Sequence, residues 1–240
     1  MCQICSTRRA FLSFAGLAPL ALPLGLSLAA SRVARADGEA GLSPDQALTR
    51  LREGNMLFVE APQLCATDMA QNRTRVAKAQ HPYAIVLTCA DSRVAPELLF
   101  GGVGLGELFV CRNAGNVADT AVLGSIEYAV EHLHAPLIVV LGHERCGAVA
   151  AAVEVATKGA ELPGFIKPMV AEIVPAVEAV KGRQGDLVDL AVIENARANA
   201  ARILEKSEIV RHHVEDEAVK IVFGRYDLDT GAVKLNALSA

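Results

Sequence analysis

The stretch "LTCADSRVAPE", Leu87 to Glu97, puts a thiol, a carboxylate and a guanidinium at alternate positions: Cys89, Asp91 and Arg93. Downstream, "GHERCGAV" supplies an imidazole, His143, and a second thiol, Cys146, three positions later. Two thiolates and one imidazole are ligands that zinc prefers, and three protein ligands keep a fourth position for chemistry, so the spacing points to a catalytic rather than a structural ion. Each residue alone has an ordinary explanation. A strand-end Cys is usually core, a His after a strand is usually a satisfied hydrogen bonder, and H-x-x-C arises by chance. The metal reading rests on their joint occurrence at two strand ends.

The elements that must bring these groups together can be read around them. "YAIVLTC" (83–89), "ELFVCRN" (107–113) and "PLIVVLGH" (136–143) are short apolar runs with β-branched residues and read as buried strands. The amphipathic helix "ADTAVLGSIEYAVEHL" separates the last two. Continuous apolar strands alternating with helices predict an α/β fold, with a mostly parallel central sheet covered by helices on both faces. The carboxyl ends of such strands share one edge, where ligands collect, and Cys89 and His143 both fall there. Cys146 falls at the start of the next helix. N-terminal helices precede the sheet. Ser43 as N-cap, Pro44 at the first helical position and Gln46 completing a capping box predict a helix over 44–60, and a polar second helix is expected over 67–79. A long helix over 187–206 carries Leu187, Leu190, Ile193, Ala196, Ala200 and Ile203 on one stripe. "VKIVFGRYDLDTGAVKLN" closes the chain as a strand, a "DLDTG" turn and a C-terminal antiparallel hairpin strand. The glycine-rich "GGVGLGEL" (101–108) follows a helix and precedes a strand, the reverse of a phosphate loop, so its glycines read as turn formers. Cys111 reads as strand core, and Cys65 has no evident partner.

With 240 residues, 52% of them hydrophobic, the chain can bury a sizeable core. Residues 1–36 stand apart: four arginines, no acids, an apolar stretch from Ala10 to Ala30, and an A-x-A pattern at Ala34 and Ala36 before Asp37. That is the pattern of an export signal rather than part of the fold. "STRRAFLS" resembles a twin-arginine translocation signal, with Arg8 and Arg9 as the pair and Ser13 where a lysine is usual. An uncleaved anchor of about 20 apolar residues is the competing reading. Pro19, Pro23 and the cleavage pattern weigh against it. The expectation is a periplasmic or otherwise exported domain of residues 37–240, with no stable membrane association after leader cleavage. It carries 19 basic against 27 acidic residues, a formal net of −8, which argues against nucleic acid as a partner. Its four cysteines, at 65, 89, 111 and 146, are too sparse for a disulfide scaffold.

"CADSR", "RNAGN", "SIEYAVEHL" and "GHERCGAV", in this order and spacing, resemble the β-class carbonic anhydrases, from about Ser43 to Leu235. The resemblance implies one zinc ion per chain held by Cys89, His143 and Cys146, with Asp91 and Arg93 as a catalytic dyad. It implies that Gln80 is the amide that contacts substrate and that Phe109, Ala114 and Tyr128 line an apolar pocket; Gly147 follows the last ligand as in the family. It also implies a homodimer or higher homo-oligomer, with the active site at the subunit interface and part of the pocket donated by the neighbour. Glu144 and Arg145 depart from the pattern, since small or less charged residues are common there. Val86 also departs: a tryptophan at its position helps hold a bicarbonate that closes some family members at low pH. An open site at neutral pH is therefore expected.

The implied activity is reversible hydration of carbon dioxide to bicarbonate and a proton by zinc-bound hydroxide. Zinc lowers the pKa of bound water to near neutrality, and the hydroxide attacks CO2 held in an apolar pocket. Two thiolates already neutralise Zn²⁺, so neighbouring groups must help. Asp91 can accept the hydroxide's hydrogen bond, and Arg93 keeps that carboxylate ionised and away from the metal. Two other functions use the same scaffold: hydrolysis of carbonyl sulfide or carbon disulfide, and a catalytically inactive zinc-binding homologue whose fourth position Asp91 closes. A thiol oxidoreductase needs two cysteines poised to exchange, and C-x-D-x-R supplies one.

Overall fold

Ser43 and Gln46 cap the first helix as their spacing predicts. In the computed structural model, which describes residues 41–64, 73, 74 and 76–238, Ser43 Oγ accepts from Gln46 N at 3.3 Å and Gln46 Oε1 accepts from Ser43 N at 2.8 Å. Helix α1 runs Pro44–Glu60. The leader at 1–36, Cys65 and most of the helix expected over 67–79 lie outside the described residues.

Helix α1 packs on the turn that follows the short helix α2 (Pro96–Leu99). A Cβ on Gly54 would lie 2.1 Å from the Phe100 carbonyl oxygen, so glycine is what permits this approach. The buried amide of Asn55 fixes it: Nδ2 donates to Leu99 O and Gly231 O, and Oδ1 accepts from Val233 N.

The sheet contains β1 (Ala84–Cys89), β2 (Leu108–Asn113), β3 (Leu137–His143), β4 (Lys220–Tyr226) and β5 (Val233–Ala237), in the order β2-β1-β3-β4-β5. The first four are parallel and β5 returns antiparallel. Every residue of β1 and β3 is buried, as expected of central strands covered on both faces. Each fully buried Val, Leu or Ile stabilises the fold by roughly 1.5–3 kcal/mol. After β1 the chain lays β2 on one side and then crosses to lay β3 on the other. The carboxyl ends of β1 and β3 therefore flank a topological switch point, where open α/β sheets form their ligand crevice.

Helix α3 (Thr120–Glu131) and the C-terminal half of a long helix bury one sheet face with Ile126, Ala200 and Ile203. Helix α1 and Phe100 bury the other. A third cluster joins Cys89 and Cys146 to helix α4 (Gly147–Lys158), to α5 (Ile166–Ala171) and α6 (Val174–Val180), and to Ala191 and Val192. The long helix, α7, spans Leu187–Lys206. Its buried face is Ala191, Val192, Asn195, Ala196, Asn199, Ala200 and Ile203, rotated from the expected stripe, with Leu187, Leu190 and Ile193 only half buried. Asn195 and Asn199 face inward because loop backbone groups satisfy their amides. Helix α8 (Glu208–Glu215) leads into β4. The glycines at 101, 102 and 106 all take positive φ in the turn before β2, in keeping with their reading as turn formers. Among the described residues no helix is long and apolar enough to cross a membrane.

Candidate metal centre

Cys89 is the last residue of β1, His143 the last of β3, and Cys146 the N-cap of α4. All three are buried, their ligand atoms lie within 4.8 Å of one another, and the two sulfurs are 4.0 Å apart. Two sulfurs each about 2.3 Å from one ion can be separated by at most ~4.6 Å, so the spacing suits a shared metal. His143 Nδ1 lies 2.9 Å from the Glu144 carbonyl oxygen, which can only accept. Nδ1 therefore carries the proton, and Nε2 presents a lone pair. That Nε2 is buried with no hydrogen-bond partner among the described residues, a costly state that a metal ion would answer.

The charges agree. Cys89 is drawn below the usual thiol range, chiefly by the hydrogen bond it shares with Cys146, with the Gly115 and Asp91 amides acting in the same direction against burial. Cys146 is pushed up, because it donates to Cys89 and is buried. Sharing one hydrogen bond in a buried setting, the two sulfurs resist ionising together. A dication is the partner that lets both sulfurs ionise.

Asp91 stands beside this cluster, its Oδ2 3.8 Å from His143 Nε2. Arg93 grips it twice, Nε to Oδ1 at 2.9 Å and Nη2 to Oδ2 at 2.7 Å, and the Arg93 backbone N–H adds a third bond to Oδ1. These bonds hold the Asp91 carboxyl well below the ordinary carboxylate range. Arg112 at the end of β2 donates to the carbonyls of Cys89 and Asp91, clamping the C-x-D segment against its neighbour strand.

Two loops complete the surroundings. In the first, Gly115, at φ +81°, donates its N–H to Cys89 Sγ at 3.4 Å. A Cβ there would come within 2.4 Å of Ile173 Cδ1. In the second, Glu144 and Arg145 bridge the candidate ligands His143 and Cys146. Arg145 takes φ +52° and pairs with Asp229 through both terminal guanidinium nitrogens, while Glu144 accepts from Leu228 N and pairs with Arg225. The charges that depart from the family pattern thus bind the segment between His143 and Cys146 to β4 and the β4–β5 turn. A cavity of about 560 Å³ beside them is lined by Glu144, Arg145, Asp189 and Arg225 among others, but by none of the three candidate ligands.

The structure does not gather every predicted site residue. Ala114 precedes Gly115 and Gly147 follows Cys146, so both adjoin the cluster along the chain. Phe109 pairs in register with Ile85, four residues from the Cys89 level, or roughly 13 Å along the strand. Tyr128 stacks near Phe109, ring centroids 6.4 Å apart, and is half exposed. Gln80 is exposed before the amino end of β1, opposite the end that carries Cys89. Sequence reasoning missed Arg112, Asn195 and Asn199. The one available signal was a pair of amides four apart on the alanine-rich face of α7.

The family model for carbonic anhydrase matches residues 84–233. The chain is 39% identical over 195 residues to "Carbonic anhydrase 2" of Mycobacterium tuberculosis, covering 80% of this chain and 93% of that one. It is 39% identical over 197 residues to a carbonic anhydrase of Mycolicibacterium smegmatis, covering 81% and 94%. Among solved structures, the Coccomyxa β-carbonic anhydrase in complex with acetazolamide matches with a TM-score of 0.61 at 28% identity, covering 78% of this chain and 85% of that one. With matching motifs, fold and relatives, the chain belongs to the β-class carbonic anhydrases, a family of lyases.

Proposed function

We propose that the chain binds one zinc ion through Cys89, His143 and Cys146 and with it catalyses CO2 + H2O ⇌ HCO3⁻ + H⁺. The observation that carries this reading is the buried meeting of two sulfurs and an unpartnered imidazole nitrogen beside an Asp–Arg pair. Zinc, when bound, supplies Lewis acidity that lets a water ionise near neutral pH.

The chain's own residues do the rest. Asp91 is acceptor-only in its ionised form, so it accepts the hydrogen of the attacking oxygen and turns a lone pair toward the CO2 carbon. Arg93 keeps the carboxylate ionised and aimed. The Gly115 N–H draws electron density from the Cys89 sulfur, offsetting the thiolate charge. Gln80, Phe109 and Tyr128 serve the site of a neighbouring copy in a homodimer or larger assembly, which accounts for their distance from this chain's own cluster. Residues 1–36 direct twin-arginine export. Replacing Arg8 and Arg9 with lysine should retain the precursor in the cytoplasm; unchanged periplasmic yield would refute the export reading.

Stopped-flow CO2 hydration tests the activity, on full chain loaded with zinc, stripped by chelator and reloaded, with carbonyl sulfide tried in parallel. Hydration that vanishes on stripping and returns with zinc is expected. Zinc-replete protein that hydrates no CO2 at any pH tested refutes it, and turnover of carbonyl sulfide alone assigns the scaffold to hydrolysis instead.

A further inference from the structure

We infer that Asn195, on helix α7, is a positioning residue of the metal centre: through Gly115 it sets the amide hydrogen bond received by the Cys89 sulfur. The inference deepens the zinc reading above and rests on it.

Asn195 and Asn199 are 1% and 4% exposed, one helical turn apart. Ala196 and Ala200 show that this helix face can be filled without polar atoms, and burying an amide is costly unless its groups are paired. Both amides are paired, and to the same loop. Asn195 Nδ2 donates to Gly115 O at 2.8 Å, and Asn199 Oδ1 accepts from Ala118 N at 2.7 Å. Asn199 Nδ2 in turn donates to Asn195 O at 2.9 Å and Asn195 Oδ1 at 3.1 Å, so the second amide aims the first.

Gly115 is therefore held from both sides. Its carbonyl is fixed by Asn195, and its N–H points at Cys89 Sγ. At φ +81° it occupies a conformation whose alternatives are many for a glycine, so an external anchor is what selects this one. The consequence is electronic. Two thiolates nearly cancel a zinc ion's charge, and each N–H···S bond withdraws electron density from sulfur, leaving the ion more acidic and the ligand less easily oxidised. By this route a helix side chain that touches neither metal nor substrate tunes the centre.

The test uses the full chain loaded with Co²⁺ in place of zinc, read by its thiolate-to-cobalt charge-transfer band, together with competition for zinc by a chelator. In Asn195→Ala the band should move to longer wavelength and zinc affinity should fall on the order of 10-fold, the scale for losing an outer-shell partner. Asn199→Ala should move both in the same direction by less, and it decides the matter if Asn195→Ala fails to fold. Ile203→Val is the control. It lies buried on the same helix within the sheet-face core, and should lower the melting temperature while leaving band and affinity unchanged. If the asparagine variants fold, load metal and keep the parental band and zinc affinity, the inference is overturned while the zinc reading stands. If the unmodified chain takes up neither ion, both fall.

Discussion

Asp91 and Arg93 form a closed, two-point pair: Nε meets Oδ1 at 2.9 Å and Nη2 meets Oδ2 at 2.7 Å, two residues apart in sequence. Alternate positions after a strand end suffice to bring them together, and the pairing leaves the carboxylate engaged with arginine. With zinc bound as proposed, replacing Arg93 with Ala should free Asp91 to occupy the ion's remaining position. The expected cost is on the order of 2 to 4 kcal/mol of transition-state stabilisation, with zinc content unchanged. Stopped-flow rates paired with zinc counts in the same sample check this, and wild-type rates in Arg93→Ala would remove Arg93 from the machinery.

The same pair fixes a pH dependence. The folded carboxyl of Asp91 titrates well below its unfolded value near 3.9. The pair's contribution to stability is thus complete above the ordinary carboxylate range and lost as pH falls below it. Asp91 is expected to stay ionised throughout the neutral range, so any acid limb of activity near neutrality belongs to another group. Carboxyl-carbon NMR should show Asp91 titrating below other aspartates, and closer to them in Arg93→Ala. A titration of Asp91 near neutral pH would contradict the assignment.

Gly115→Ala forces a Cβ to within 2.4 Å of Ile173 Cδ1 at φ +81°. The left-handed conformation costs about 1–2 kcal/mol for a residue with a Cβ, and overpacking roughly 1–3 kcal/mol more. Thermal unfolding should show this loss, and the double variant with Ile173→Ala should be less than additive because the clash is relieved. Full additivity would mean that the two side chains do not meet.

Tyr128 sits with Phe109, which lies four residues along the sheet from the level of Cys89, and the proposed assembly accounts for that separation. A dimer is the smallest assembly expected by sedimentation. Co-expression supplies a sharper check: Tyr128→Ala and Cys146→Ser chains, each impaired alone, should recover activity together, because a mixed dimer contains one intact site. No recovery despite mixed dimers would show that each chain builds its site by itself.

Much of this was legible in the sequence for local reasons. Continuous apolar runs place β1, β2 and β3, and strand ends place Cys89 and His143 at one edge of the sheet. The capping box fixes the start of α1 because its donors and acceptors are three residues apart. What escaped notice depends on distant partners. Asn195 and Asn199 look like solvent-facing amides until Gly115 and Ala118, about eighty residues upstream, are packed against them. Arg145 looks like a rim charge until Asp229 closes on it from the β4–β5 turn.

The most direct test of the central claim is a zinc count on the purified full chain and on its Cys89→Ser, His143→Ala and Cys146→Ser variants, with folding checked in each. One zinc per chain is expected in the unmodified protein and close to none in each variant, since a neutral hydroxyl does not replace a thiolate and a methyl group cannot ligate at all. Full zinc occupancy in folded Cys146→Ser would contradict the account.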